Sequence, residues 1–101
     1  MTTCALIAGY NEARHIAEVV KSTARYVSAV WVVDDGSTDE TAALAAAAGA
    51  TVITHDRNRG KGAAIRTGLS RLLGEPYSHV LLLDADLQHD PDEIPKLVER
   101  A

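Results

Sequence analysis

Apolar runs and helix-spaced apolar stripes alternate along this chain. Cys4-Ala-Leu-Ile-Ala8 is a short apolar run that ends at Gly9, and Asn11 can cap a helix beginning just after it. From Glu12 to about Val27, Ile16, Val19, Val20, Thr23 and Tyr26/Val27 recur at helical spacing, with Arg14, Glu18, Lys21 and Arg25 on the other face. Ala29-Val-Trp-Val-Val33 is β-branched and aromatic and reads as a strand. It stops at Asp34-Asp35-Gly36-Ser37-Thr38-Asp39, where Ser37 or Thr38 can cap a helix running through the alanine tract to about Ala48, with Gly49 as its stop. Thr51–Thr54 is a third strand. After the polar loop from His55 to Gly62, Ala64, Ile65, Gly68, Leu69, Leu72 and Leu73 form a helical stripe closed by Gly74 and Pro76. His79-Val-Leu-Leu-Leu83 is continuously apolar, as a strand buried on both faces must be. A last helix is expected over about Asp92 to Arg100.

The predicted order is therefore βαβαβαβα. Strands separated by helices run parallel with right-handed crossovers. The expected fold class is α/β, a doubly wound parallel sheet of about four strands with helices on both faces. The alanine tract predicts a thin helix lying close to the sheet.

Composition narrows the function. With 101 residues, 47% hydrophobic, 24% charged and a net charge of −4, the chain has the size and balance of one folded domain rather than a disordered segment. No apolar stretch approaches the roughly 20 residues of a membrane span, and the opening residues do not read as a secretory signal. The single cysteine, Cys4, lies among apolar residues, so a buried inert thiol in a reducing, cytoplasmic compartment is expected. The acidic balance argues against a nucleic-acid partner.

Chemistry collects after the strands, where open parallel sheets bind ligands. Tyr10-Asn11-Glu12 stands after the first strand, Asp34 to Asp39 after the second, Asp56 to Gly62 after the third and Asp84-Ala-Asp86-Leu-Gln88 after the fourth. Asp84-x-Asp86 with Gln88 supplies hard oxygen ligands suited to Mg²⁺ or Mn²⁺, ions that keep open positions for phosphates. Capping of a following helix is the competing reading for this acidic cluster. A carboxylate at Asp35 can accept hydrogen bonds from a base or ribose, whereas Asp34 reads as a turn residue and Asp39 as a helix-start charge. Asn58-Arg-Gly60-Lys61-Gly62 precedes a helix and could cradle phosphate, yet it fits neither Gly-x-x-x-x-Gly-Lys-Ser/Thr nor Gly-x-Gly-x-x-Gly. Lys61 there reads equally well as a solvated lysine. His15, His55, His79 and His89 have no metal spacing, and only His89 is expected near the site.

Ala8-Gly-Tyr10-Asn11-Glu12, Val-Val-Asp34-Asp35-Gly36-Ser37-Thr38-Asp39, Asn58-Arg-Gly60-Lys61-Gly62-Ala-Ala64 and Leu-Asp84-Ala-Asp86-Leu-Gln88-His89, in that order, resemble the family 2 glycosyltransferases of the GT-A fold. Asp-Ala-Asp-Leu-Gln-His and the Pro-Asp-Glu-Ile-Pro after it are most similar to the polyprenyl-phosphate sugar transferases, the dolichyl-phosphate mannose synthase-like subgroup.

The resemblance implies transfer of a sugar from a UDP- or GDP-linked donor to an acceptor, a polyprenyl or dolichyl phosphate, with inversion at the anomeric carbon. It implies that Ala8, Tyr10 and Glu12 line the nucleotide pocket, that Val33 and Asp35 contact base and ribose, and that Asp84, Ala85 and Asp86 face ribose and diphosphate. Asp86 is the implied catalytic residue, with Asp84 and Gln88 completing the site for Mg²⁺ or Mn²⁺. Lys61 joins the donor-binding set. Relatives often carry Pro-Ala or Pro-Thr before Tyr-Asn-Glu; Ala8-Gly9 stands here, and a looser first loop is expected. Relatives also use roughly twice this length for a catalytic domain. Residues 1–101 are accordingly expected to be the donor-binding part of such a domain, without the acceptor part. A sheet edge or helix face is then expected to be left uncovered or covered by a second copy. Three other readings compete. One is a non-catalytic nucleotide-sugar binding module. Another is an Asp-x-Asp phosphatase, disfavoured by Gln88 two residues after the second Asp. The last is a receiver-like domain, disfavoured by Thr54-His55 at the end of the third strand.

Overall fold

The computed structural model describes residues 2–85 and 97–99. Strands β1 (Thr3–Gly9), β2 (Ala29–Asp34), β3 (Thr51–Thr54), β4 (His79–Asp84) and β5 (Leu97–Glu99) form one sheet in the order β3-β2-β1-β4-β5. Helices α1 (Ile16–Thr23), α2 (Thr41–Ala47) and α3 (Lys61–Leu72) connect the first four strands, which are mutually parallel. This is the expected doubly wound arrangement. β5 is the departure: Leu97–Glu99 pairs antiparallel with β4, His79 opposite Glu99. The helix expected over Asp92–Arg100 is corrected there, because pairing with the otherwise open edge of β4 overrides local helix propensity. The rest of that prediction lies outside the described residues.

The pleat sorts the core into two layers. Ala5 and Ile7 of β1, Val30 and Val32 of β2, and Leu81 and Leu83 of β4 point to the face covered by α1 and α2. Cys4 and Leu6, Trp31 and Val33, and Val80 point to the other face, where Ala64 and Leu72 of α3 cover them. Cys4 is buried within β1, as expected of an inert thiol. α3 lies very close to the sheet: a Cβ on Gly68 would stand 2.4 Å from Leu6 Cδ1. That contact explains a glycine inside a helix, where it costs about 1 kcal/mol relative to alanine. α2 buries Thr41 and Ala45, and Leu44 and Ala48 pack against the same core layer. Among the described residues, no helix is long and apolar enough to cross a membrane.

The helix starts differ from those the pattern predicts. α1 begins at Ile16 rather than Glu12 and ends at Thr23, leaving Tyr26 exposed. Asn11 does not cap it, because its backbone is left-handed, with φ +53°, and its side chain points to the β2–α2 loop. Ser37 and Thr38 do not cap α2, which starts at Thr41 after Glu40. They are used instead to join the two loops: Ser37 Oγ accepts Asn11 N–H at 2.8 Å, and Asn11 Oδ1 accepts Thr38 N–H at 2.8 Å. Thr41 Oγ1 and Asp39 Oδ2 accept the Glu12 and Ala13 N–H groups in the same way.

Candidate functional site

The strand order reverses direction between β1 and β4, and a cleft opens beyond the carboxyl ends of these strands. It encloses about 320 Å³. Alternation along each strand decides which side chains face it. Asp34 continues the α1/α2 side of β2, and its Oδ1 accepts Ser37 N–H at 3.1 Å, the turn role its position in the sequence suggests. Asp35 falls on the α3 side and lines the cleft with Ala8, Tyr10 and Glu12 from the end of β1. Asp84 and Ala85 close the cleft from β4, and Lys61 reaches it from the first residue of α3.

Seven sequence-predicted donor residues thus meet in one cleft: Ala8, Tyr10, Glu12, Asp35, Lys61, Asp84 and Ala85. Val33 does not join them, since its side chain is fully buried in the layer beneath α3. Asp86 and Gln88 lie outside the described residues, as does His89. Gly9 is not a loose point. It is buried, it pairs with Asp34, and its carbonyl accepts Asp35 N–H at 2.8 Å. A Cβ at this position would stand 3.0 Å from Ala85 Cβ, so a larger residue here would press on the β4 end of the cleft.

Asp35 is the hub of the site. Its Oδ1 accepts from His55 Nδ1 at 2.8 Å and from Arg59 N–H at 2.9 Å, while Oδ2 accepts Gly60 N–H at 2.8 Å. Burial alone raises the Asp35 pKa. The bonds from His55, Arg59 and Gly60, with the electrostatic attraction of His55, outweigh it and hold the pKa below the ordinary 3.8. Asp39 is also lowered, chiefly by the Thr41 hydroxyl bond, consistent with its helix-start position.

The sequence pattern does not bring His55 to the site, yet it stands beside Asp35 with only 8% of it exposed. Its Nε2 meets Thr67 Oγ1 of α3 at 2.8 Å. The signal for it is the register: β2 pairs with β3 so that Asp34 stands opposite Thr54, which places Asp35 and His55 one step further along adjacent parallel strands. Asn58 and Gly60, from the loop suited to cradling phosphate, also line the cleft.

Lys61 Nζ forms an ion pair with Asp84 Oδ1. Lys61 therefore lines the cleft while its side chain stays 60% exposed to solvent. Asp84 is the described member of the expected metal set. Its carboxylate is a hard oxygen donor at the cleft, the ligand type that suits a divalent ion, and here that oxygen is paired with Lys61. Among the described residues, no three His, Cys, Asp or Glu side chains cluster as a metal site.

Residues 4–101 match the family model described as glycosyl transferase family 2. Undecaprenyl-phosphate 4-deoxy-4-formamido-L-arabinose transferase of Salmonella choleraesuis is 36% identical over 91% of this chain and 31% of its own length. The enzyme of the same name from Pseudomonas fluorescens is 39% identical over 91% of this chain and 30% of its own. The chain thus spans about a third of the length of these curated relatives. Among solved structures, mannosyl-3-phosphoglycerate synthase from Rubrobacter xylanophilus superposes with a TM-score of 0.76 at 26% identity, covering 89% of this chain and 32% of that one. Glucosyl-3-phosphoglycerate synthase from Mycobacterium tuberculosis, in complex with Mn²⁺, UDP-glucose and phosphoglyceric acid, superposes with a TM-score of 0.74 at 27% identity, covering 89% of this chain and 35% of that one.

Proposed function

Because the chain belongs to glycosyl transferase family 2, we propose that its cleft binds the nucleoside diphosphate end of a UDP- or GDP-linked sugar donor. The observation that carries this reading is the convergence of Asp35, Lys61 and Asp84, from the ends of three separate elements, on one cleft at the point where the strand order reverses. Each has a distinct use. Asp35 retains acceptor capacity for a base or ribose donor, because three bonds leave part of its carboxylate unoccupied. Tyr10 and Glu12 flank the nucleotide, with Ala8 behind it. Lys61 and the N-terminus of α3 offer positive charge to a diphosphate.

Asp84, Asp86 and Gln88 would hold Mg²⁺ or Mn²⁺, with Asp86 in the catalytic role. A divalent ion supplies Lewis-acid neutralisation of a diphosphate leaving group. The Mycobacterium tuberculosis synthase holding Mn²⁺ and UDP-glucose supports a metal and a nucleotide sugar for this fold. The undecaprenyl-phosphate transferases support a lipid-phosphate acceptor. Such an acceptor is already anionic, so it attacks the anomeric carbon with inversion and needs no strong general base. Residues 1–101 are then the donor-binding part of the transferase. Catalysis would take place at the cytoplasmic face of a membrane, where a lipid phosphate is presented.

Calorimetric titration of UDP, GDP and their sugars, with and without Mn²⁺, tests the reading on the wild type and Asp86→Ala. The expected result is nucleotide binding that Mn²⁺ strengthens and that Asp86→Ala uncouples from the metal. Absence of metal-dependent binding at millimolar nucleotide overturns it.

A further inference from the structure

Resting on the donor-site reading, we propose that His55 is a positioning residue for nucleotide binding, clamping the Asp35 carboxylate and the 56–60 loop between the sheet and α3. The imidazole is nearly buried and bridges two elements, with Nδ1 on Asp35 Oδ1 and Nε2 on Thr67 Oγ1, both at 2.8 Å. An ionised carboxylate only accepts, so Nδ1 carries the proton. That leaves Nε2 to face the Thr67 hydroxyl, which fixes the ring plane. His55 N–H also donates to Asp34 O at 2.9 Å, continuing the ladder and anchoring the residue at the base of the loop.

One shared carboxylate links His55 to the cleft. Asp35 Oδ1 takes His55 and the Arg59 amide, and Oδ2 takes the Gly60 amide. Gly60 immediately precedes α3, and the next residue, Lys61, pairs with Asp84. A rotation of the Asp35 carboxylate therefore disturbs both the acceptor that faces the nucleotide and the helix end that presents Lys61. His55 touches none of the ligand-facing space itself, since it does not line the cleft. It acts through Asp35.

Two isosteric substitutions separate positioning from packing. In His55→Asn the amide nitrogen can replace Nδ1 and still donate to Asp35. In His55→Gln the amide reaches the Nε2 position and keeps Thr67 but loses Asp35. Amide hydrogen exchange of Arg59 and Gly60, read by NMR without ligand, should be about tenfold faster in His55→Gln and within about threefold of wild type in His55→Asn. UDP affinity in the presence of Mn²⁺ should run in the same order, with about a tenfold loss in His55→Gln only. Amides of the central strands should keep their protection in both variants.

Equal losses in the two variants, or unchanged exchange at Arg59 and Gly60 in His55→Gln, overturn the proposal. Should His55→Gln fail to fold, Thr67→Val removes the other end of the clamp while keeping side-chain shape. It should speed the same two amides by about threefold, and no change there overturns the proposal. A wild type that binds no UDP overturns the donor-site reading and the link to nucleotide, while the exchange rates still decide whether His55 holds Asp35.

Discussion

Replacing Gly36 with alanine should break the site from beneath. Gly36 stands next to Asp35 with φ +72°, and a Cβ there would stand 2.3 Å from the Arg57 carbonyl carbon and 2.5 Å from Asn58 N. Two costs add. The left-handed backbone costs an alanine about 1–2 kcal/mol. The steric cost is separate, because the obstructing atoms are backbone and no rotamer change removes them. Restoring ordinary contact needs a shift of roughly 1 Å in the 57–58 segment, and tightly packed elements resist such shifts. The neighbouring Arg59 and Gly60 amides, which hold Asp35, would be carried away with it.

The combined loss for Gly36→Ala should be about 2–4 kcal/mol, a large share of the roughly 5–15 kcal/mol that stabilises a domain. Gly49 provides the control. Its φ is +109°, and nothing lies within 4 Å of a Cβ built on it, so Gly49→Ala bears backbone strain alone, about 1–2 kcal/mol. Urea unfolding of both variants, read by circular dichroism, gives the difference, and UDP titration gives its functional echo. Gly36→Ala should lose nucleotide affinity and Gly49→Ala should not. Equal unfolding free energies for the two variants would refute the claim that the Asp56–Gly60 loop is pressed against the end of β2.

Lys61→Gln should leave stability within about 1 kcal/mol, because the Lys61–Asp84 pair is well exposed on the lysine side, yet it should weaken UDP binding severalfold and uridine binding hardly at all. The Asp35 pKa lies below 3.8 in the folded chain, so the unfolded chain binds more protons as pH falls. The stabilisation is full above about pH 5 and disappears below the folded-state pKa; Asp35→Asn should flatten that part of a pH series of unfolding midpoints. Gly68→Ala should destabilise by about 1–3 kcal/mol through overpacking on Leu6, and Leu6→Val in the same chain should recover part of the loss, measured as a double-mutant cycle.

The fold is legible in the sequence because its strands are unambiguous. Ala29 to Val33 reads as a strand from its β-branched and aromatic residues, His79 to Leu83 as one buried on both faces, and helical segments between parallel strands leave few topologies. The helix starts are less legible. Asn11, Ser37 and Thr38 have capping chemistry, but the same oxygens also serve a loop–loop contact, and composition does not say which donor they will meet. β5 is hidden for a related reason: its pairing depends on the free edge of β4, which no local pattern in Leu97–Glu99 announces.

The site shows where strand-end reasoning works and where it stops. Alternation alone separates Asp34 from Asp35 and assigns the second to the cleft, because that choice depends on the parity of one strand. His55 depends on two strands at once. It is 20 residues from Asp35 in sequence, and only the β2–β3 register, with Asp34 opposite Thr54, makes them neighbours. In a parallel sheet the residue just past each strand is a candidate partner for the residue just past the strand beside it. Applied across β2 and β3, that rule joins Asp35 to His55. Applied across β1 and β4, where Ala8 stands opposite Asp84, it joins the first and last loops of the cleft. The carboxyl edge of the sheet is thus a readable row of side chains once strand order is known. Asp35 and Asp84, which look like separate turn signals along the chain, belong to that one row, with the end of β1 between them.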